Sequence, residues 1–357
     1  MHNGNLSATK ALPDTATSVR KLNLREIAKR ARVSTATVSR AINRIPTVNP
    51  YLAKRVWKVA EDLGYYPNTQ ARALVSGRSR IFGLIVSELT NTFFAGVVQA
   101  FESLAVQHGY EILLNSTADD RRRMELVIRR MIERRVDGVA ALTFSIEESI
   151  IKKLSIRSVP VVLLDGTSQI PGIARVCIDY QNGIRQAVQH LAALRHDRIA
   201  FVGGPEHVTC AQVRKRAFQQ AMAEIGLEAP QELIVPGDHS AESGMKALRE
   251  LWRLPVRPTA ILCSNDLTAT GVLAQAHECG ISVPHQISVV GFDDIRPAQF
   301  TAPPLTTVRI SQADLAIHAF QMLTNRDKTL SSSDEYVLKT SLVLRRSTAL
   351  QPRSNTD

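Results

Sequence analysis

Residues 23–66 of this 357-residue chain read NLREIAKRARVSTATVSRAINRIPTVNPYLAKRVWKVAEDLGYY. Apolar side chains recur here at helical spacing in three segments, each preceded by a residue suited to cap a helix: Asn23, Ser34 and Asn49. The turn between the first two segments is so short that the pair matches a helix-turn-helix, whose second helix enters the major groove of DNA. The pattern therefore predicts a three-helix domain that stops at Gly64. Its predicted core consists of Ile27, Ala28, Ala31, Val38, Ala41, Ile42, Leu52, Val56, Val59 and Leu63.

The net charge of the chain is concentrated in the same region. The whole chain carries a net charge of +11, and the segment from Arg20 to Arg80 alone holds 14 basic and 3 acidic side chains. Residues 81–357 hold 29 basic and 29 acidic side chains, so the rest of the chain is neutral. Any single exposed cation here could simply coat a solvated helix face. Together, however, they indicate a module that binds the phosphates of nucleic acid.

Sequence-specific recognition requires side chains near the start of the second predicted helix to read bases, because phosphates carry no sequence information. Arg40 can pair with guanine, Thr35 can donate or accept a hydrogen bond, and Ala36 offers a methyl surface. Such short side chains contribute little energy, so we expect a homodimer that reads two half-sites of double-stranded DNA. The predicted phosphate contacts are Ser34, Thr37, Ser39, Asn43, Tyr65, Asn68 and Arg78.

From Ile81 onward, short β-rich runs alternate with stretches of helix length. The runs are FGLIVS, YEILLN, GVAAL, VPVVLL, RIAFVGG, TAILCS and ISVVGF. This alternation predicts an α/β body of doubly wound parallel sheets in two lobes. Polar residues follow three of the runs at Asp165, Asn265 and Asp293. Open α/β sheets bind ligands beyond the carboxyl ends of their strands, so these side chains are candidates for a ligand site.

The stretch IAKRARVSTATVSRAINRIPTVNPYLAKRVWKVAEDLGYYPNTQARALVSGRSRIFGLIV, residues 27–86, resembles the amino-terminal signature of the lactose-repressor (LacI/GalR) family of transcriptional regulators. Further motifs follow in the family's order: RRVDGVAAL, VVLLDG, SNDLTATGVL, ISVPHQISVVGFDD and PPLTTVRI. The similarity covers roughly residues 22–350. Arg32 departs from it, because the family usually has glycine at this turn position. If the backbone there is left-handed, an arginine costs roughly 1–2 kcal/mol.

The resemblance implies a domain organisation for the whole chain. We expect a disordered leader (1–20), a helix-turn-helix domain (21–66), a hinge helix with linker (67–80), an effector-binding and dimerisation body (81–350) and a tail (351–357). The body would resemble periplasmic binding proteins, with an N-lobe of about 81–165 plus 309–338 and a C-lobe of about 166–308 plus 339–350. The hinge helix would order in the minor groove and wedge Leu74 between base steps. The alternative for Leu74 is packing against its own domain.

The resemblance also implies an effector site between the two lobes. Phe93 and Phe94 would wall this cleft, and His239 falls where the family often has an aromatic stacking residue. The side chains expected to hydrogen-bond the effector are Asp165, Arg214, Asn265 and Asp293. Their chemistry suits a polyhydroxylated small molecule such as a sugar. Arg214 by itself could equally be solvated beside Lys215 and Arg216, and we expect Asp266 and Asp294 to cap helices.

The sequence gives little support for an enzyme, a metal-binding protein or a secreted or membrane protein. Nothing supplies an activated nucleophile, a metal cluster or a phosphate loop, so we expect neither catalysis nor a metal or cofactor. Four cysteines without ligand spacing predict buried free thiols in a reducing cytoplasm. The polar amino terminus resembles no signal peptide, and no apolar run is long enough to cross a membrane.

The absence of leucine heptads after Arg346 argues against a tetramer. A global regulator whose body responds to a protein partner remains the alternative.

Overall fold

The computed structural model describes residues 23–43, 45–66, 77–118, 120–143, 147–165, 173–325 and 334–351. The chain divides into two compact units, the first ending at Gly77 and the second beginning at Arg78. Two residues predicted to contact DNA, Asn68 and Leu74, lie outside the described residues. Their roles therefore stay predictions.

The first unit contains the three predicted helices, α1 (Leu24–Ala31), α2 (Thr35–Ile42) and α3 (Pro50–Asp62). The predicted caps are confirmed, because the side-chain oxygens of Asn23, Ser34 and Asn49 each accept a hydrogen bond from a backbone N–H in the first helical turn, at 3.1, 3.0 and 2.9 Å. Seven of the ten predicted core residues are buried. Val59 and Leu63 are half-buried and pack against the core, Leu52 is half-buried, and Ala60 is an additional buried residue. The buried residues are Ile27, Ala28, Ala31, Val38, Ala41, Ile42, Val56 and Ala60.

The turn between α1 and α2 has the left-handed backbone that the family comparison suggested. Arg32 adopts φ 49° and ψ 49°, a conformation that costs a residue with a Cβ about 1–2 kcal/mol. The next amide, that of Val33, donates to the Ala28 carbonyl at 3.1 Å and closes the helix. The Arg32 carbonyl accepts a hydrogen bond from Arg55 on α3 at 3.4 Å. The strained turn is thus held by contacts to two helices.

The second unit is an α/β body whose strands and helices alternate as predicted. Its helices are α4 (Thr92–Gln107), α5 (Arg121–Glu133), α6 (Glu148–Ser155), α7 (Tyr180–Ala193), α8 (Thr209–Glu224), α9 (Ala241–Trp252), α10 (Asp266–Glu278) and α11 (Gln312–Thr324). Its strands are β1 (Ile81–Val86), β2 (Glu111–Ser116), β3 (Gly138–Leu142), β4 (Val161–Leu164), β5 (Ile173–Ile178), β6 (Ile199–Val202), β7 (Ile234–Val235), β8 (Ala260–Cys263), β9 (Ser288–Asp293), β10 (Thr306–Arg309), β11 (Glu335–Leu338) and β12 (Ser341–Val343).

The strands form two six-stranded sheets, one in each lobe. The first has the order β11-β5-β4-β3-β1-β2 and the second the order β12-β10-β9-β8-β6-β7. All pairings are parallel except that of β10 with β12. In the first sheet, alternate side chains face α5 and α6 on one side and α4 and α11 on the other, as a doubly wound sheet requires.

The structure corrects the expected lobe boundary near residue 165. Strand β5 pairs with β4 and β11 of the first sheet, so the chain leaves the first lobe after Ile178. The chain returns to the first lobe between β10 and α11, and it crosses to the second lobe again between β11 and β12. The chain therefore crosses three times between the two sheets. Strand β5 was not predicted, because it gains half of its sheet pairing from β11, which is distant in the chain.

Candidate functional site

The exposed face of α2 carries the three side chains predicted to read bases. Thr35, Ala36 and Arg40 are exposed, whereas Val38 and Ala41 on the opposite face are buried. Helical periodicity produces this division, since the apolar side must pack against α1 and α3. The face has the geometry that a recognition helix needs, and the contacts themselves stay predictions.

The candidate phosphate contacts surround both ends of the same helix. The hydroxyls of Ser34 and Thr37 lie 2.9 Å apart at its amino end, and at its carboxyl end Asn43 donates to Ser39 Oγ at 3.5 Å. Tyr65 packs half-buried against the three-helix core. These side chains are positioned by local hydrogen bonds or packing. Arg78 is exposed but belongs to the second unit.

In the second unit, Arg214 is the central side chain of a buried polar cluster at the carboxyl ends of β8 and β9. Its guanidinium is 2% exposed, donates through Nη1 to the Ser264 carbonyl at 2.5 Å and through Nη2 to Asp293 Oδ1 at 3.3 Å. It also lies 4.9 Å from the centre of the Tyr180 ring and 4.3 Å from that of Phe292. The solvated alternative for Arg214 is therefore wrong, because the helix turns this one residue of the basic run inward.

The charges of this pair are set by burial and by each other. Burial disfavours the charged guanidinium of Arg214, but Asp293, Cys210 and Tyr180 more than compensate and raise its pKa. Burial raises the pKa of Asp293 to about 6, although Arg214 opposes this rise. The arginine thus stays cationic, whereas the carboxyl is poised to take up a proton in mildly acidic solution.

Asp165 and Tyr180 form a second buried pair. The Tyr180 hydroxyl donates to Asp165 Oδ2 at 2.5 Å, and the Ile178 amide donates to the other carboxylate oxygen at 2.7 Å. Burial raises the pKa of Asp165 and raises that of Tyr180 well above its usual value. Because the Tyr180 ring also contacts Arg214, it connects Asp165 to the Arg214–Asp293 pair. Tyr180 was not among the predicted site residues, because it follows β5, a strand that was not predicted.

His239 and Asn265 join this network through Ser264. His239 Nε2 lies 2.8 Å from Ser264 Oγ, and Asn265 Nδ2 donates to the His239 carbonyl at 3.0 Å. Burial, and to a smaller extent Arg214, lower the pKa of His239 to about 3, so its imidazole is neutral. Asn265 Oδ1 also caps α10 by accepting from the Thr268 amide at 2.8 Å. Five of the seven predicted effector residues are therefore brought together.

Three of these residues have a left-handed backbone that only glycine adopts readily. The φ angles are 53° at Asp165, 68° at His239 and 114° at Asp293. Each such residue costs on the order of 1–3 kcal/mol, and strain of this kind clusters at functional sites. The other two predicted residues, Phe93 and Phe94, are 1% and 2% exposed, with ring centroids 5.4 Å apart. They pack within the body's core, and their role as a cleft wall stays a prediction.

The prediction that Asp266 and Asp294 cap helices is wrong. Asn265 already occupies the capping position of α10, so Asp266 turns inward, where it accepts hydrogen bonds from the Thr307 hydroxyl at 2.5 Å and the Ile295 amide at 2.8 Å. Asp294 instead forms ion pairs with Arg309 and Arg345, each at 2.6 Å. Both carboxylates brace the loop after β9, and this loop holds Asp293 in place.

The four cysteines only partly match the predicted buried thiols. All are free, and Cys210 and Cys263 are buried, but Cys177 is half-buried and Cys279 is exposed.

Within the described ranges, no group of three or more His, Cys, Asp or Glu side chains is arranged to hold a metal ion. None of the helices seen in those same ranges combines the length and apolar character of a membrane span.

Two family models match the chain. Residues 23–68 match the model described as bacterial regulatory proteins, lacI family, and residues 188–348 match the periplasmic binding protein-like domain. Catabolite control protein A of Priestia megaterium is 33% identical over 314 residues, which cover 86% of this chain and 94% of the relative. The HTH-type transcriptional repressor PurR of Actinobacillus pleuropneumoniae serotype 3 is 32% identical over 327 residues, covering 91% and 97%.

Solved structures show the same similarity. The Lac repressor dimer bound to operator and the anti-inducer ONPF superposes with a TM-score of 0.81 at 26% identity, covering 92% of this chain and 99% of that one. A complex of the transcriptional regulator CelR with cellobiose superposes with a TM-score of 0.68 at 28% identity, covering 92% and 100%. Both the domain order and the two-lobed body therefore have counterparts in solved regulators.

Proposed function

This chain belongs to the LacI family of bacterial regulatory proteins, and on that basis we propose that it is a transcriptional repressor that binds a pseudo-palindromic operator as a homodimer. The observation that carries the proposal is the exposed face of α2, where Thr35, Ala36 and Arg40 stand clear of the helical core. Three base-reading side chains per monomer need a second half-site for useful affinity. Because its partner is chromosomal DNA, the proposal places the protein in the cytoplasm.

We further propose that the effector is a sugar or sugar derivative bound at the cleft. A guanidinium, two carboxylates, an amide and a neutral imidazole lie in one network there, and such groups match ligands that present many hydroxyls. The CelR complex contains cellobiose, which agrees with this assignment. The relatives that matched are regulators, and no enzyme family is indicated.

Signal transfer in this proposal follows the domain organisation expected from the sequence. Effector binding changes the closure of the two lobes, and residues 67–80 convert that change into ordering or loss of a short hinge helix. A helix of two turns is marginal alone, so a coupling free energy of about 1–3 kcal/mol per site suffices to change operator occupancy. Leu74 would then insert between base steps only in the ordered state.

Selection of binding sites from a random duplex library tests the DNA-binding proposal. We expect the selected sites to be inverted repeats, and single unpaired half-sites would contradict dimeric binding. Arg40→Ala should relax the base preference within each half-site, because its guanidinium is the strongest base-reading group on α2. Uniform weakening on all sequences would instead make Arg40 a phosphate contact. Lys246→Ala, an exposed position in the body, is the matched control.

A thermal-shift screen of mono- and disaccharides, followed by footprinting with each hit, tests the effector proposal. Asp293→Asn should abolish the response to the effector while sparing effector-independent DNA binding. Glu242→Gln, an exposed acid in the same lobe, should leave the response intact. A response that survives Asp293→Asn would place the ligand elsewhere, and a response that needs a second protein would favour the alternative of a protein co-effector.

A further inference from the structure

A cavity of about 370 Å³ opens in the second lobe beside the carboxyl ends of β6 and β7. One wall is the loop of residues 203–206, and the other is the face of α8 that carries Gln212, Lys215 and Gln219. The buried side chains of Ile234 and Val235 line it as well. None of the residues that form the Arg214 network lines this cavity, so it is distinct from the effector cleft.

The cavity has a net excess of one positive charge, because two cations, Lys215 and Arg216, and one acid, Glu206, line it. Lys215 is half-buried, and its ammonium forms no ion pair or hydrogen bond with any part of the chain that the structure describes. Arg216 donates to the side-chain oxygen of Gln212 at 3.3 Å, which is a neutral partner. Glu206 also lines the cavity, but within the described ranges it forms no ion pair with either cation. An anion bound in the cavity would give the Lys215 ammonium a charged hydrogen-bond partner, which the described chain does not supply.

The remaining lining suits a small polar molecule. Three amide side chains, those of Gln212, Gln219 and Gln231, can donate and accept hydrogen bonds. The apolar side chains supply contact area, and the volume falls within the usual range of small-molecule pockets. We propose that this cavity is a second ligand site, which binds a compact metabolite bearing a phosphate or carboxylate group through Lys215 and Arg216.

Only the loop of residues 203–206 separates this cavity from the effector network. Gly204 lines the cavity, and a Cβ added at Gly204 would collide with the imidazole of His239. His239 in turn contacts Ser264, which accepts a hydrogen bond from Arg214 through its carbonyl. An anion that shifts the loop therefore shifts His239. The affinities of the two sites are expected to be coupled, and any such coupling is reciprocal.

Titration calorimetry on the full-length protein tests this site with glycerol 3-phosphate, succinate and uncharged glycerol at constant ionic strength. We expect at least one of the two anions, but not glycerol, to bind. Lys215→Met and Arg216→Met should each weaken that binding about tenfold, the usual effect of losing a hydrogen bond to a charged group. Lys246→Met changes the charge of the same lobe equally and should leave the affinity unchanged.

Two outcomes would overturn the proposal. One is that neither anion binds the wild-type protein. The other is that an anion binds with an affinity that Lys215→Met does not alter, which would locate it at the basic DNA-binding unit or the cleft. Asp293→Asn separates this site from the proposed effector site, because it should spare anion binding. Lys215→Gln removes the charge but keeps a polar side chain, and it should also weaken anion binding. An equal loss in both variants would show that the loss in Lys215→Met does not come from a folding defect.

Discussion

Replacing Arg214 with methionine should destabilise the body strongly, because it removes one partner of a buried ion pair. Methionine keeps much of the side-chain length but supplies no charge and no donor. The variant leaves the Asp293 carboxylate, whose side chain is 7% exposed, without its cation and leaves the Ser264 carbonyl without its donor. Breaking a buried pair in this way costs about 3–5 kcal/mol, because a desolvated charge remains uncompensated.

The double variant Arg214→Met/Asp293→Asn provides the internal check. It removes both charges at once, so it should be more stable than the sum of the two single effects predicts. We expect a coupling free energy of about 2 kcal/mol, within the range measured for contacting residues. Strictly additive effects would show that the two side chains do not interact.

The penalty in Arg214→Met should also depend on pH. The pKa of Asp293 is already raised to about 6 in the presence of Arg214, which acts to lower it, so losing the arginine raises it further. A carboxyl whose pKa is raised on folding contributes stability at low pH, and this contribution is lost as the pH rises through the folded-state value. The variant should therefore lose more stability, relative to wild type, at about pH 8 than at about pH 5.5.

Urea unfolding measures these differences. The chain has two tryptophans, Trp57 in the first unit and Trp252 in the body, so a Trp57→Phe background makes fluorescence report the body alone. All variants are compared at one protein concentration, since dimerisation adds to stability. Arg216→Met, exposed on the same helix, should change the free energy of unfolding by less than about 0.5 kcal/mol. A loss below about 1 kcal/mol in Arg214→Met, or an equal loss at both pH values, would refute the reasoning.

Three other substitutions have defined expectations. Arg32→Gly should stabilise the first unit by about 0.5–1 kcal/mol, because relief of the left-handed strain exceeds the added chain entropy; thermal unfolding followed by Trp57 measures this, and a lower melting temperature would contradict it. Leu74→Ala should weaken operator binding far more than non-specific binding in a gel-shift titration, whereas equal losses would exclude the wedge. Tyr180→Phe should cost about 1–3 kcal/mol in urea unfolding, because Asp165 loses a buried donor; an unchanged midpoint would show that this hydrogen bond contributes nothing.

The first unit was predictable almost residue by residue, because its determinants are local. Caps at Asn23, Ser34 and Asn49 bond to amides two or three residues away, and the apolar stripes follow the helical period. The left-handed backbone at Arg32 was raised only as a condition, from the glycine that the resembling family usually has there. In the body, the strand and helix alternation was equally visible, and it was sufficient to predict doubly wound sheets.

Errors in the body arose where a residue's environment comes from distant parts of the chain. Strand β5 is a strand because β4 and β11 flank it, and β11 lies more than a hundred residues away. Because β5 was not predicted, the lobe boundary was placed too early in the chain, and Tyr180 was not recognised as a site residue. Asp266 matched the pattern of a helix cap, yet Asn265 takes that role and Asp266 is buried against Thr307.

The amino-acid order alone specified a DNA-binding helical unit, a concentrated positive charge and a neutral α/β body, because periodicity, capping and net charge are properties of neighbouring residues. Folding in three dimensions decided which of three consecutive basic residues is buried. Arg214 is enclosed by Tyr180 and Phe292, whereas Lys215 and Arg216 both line a separate cavity. Burial and neighbouring charges set these roles, and both come from elements far apart in the chain.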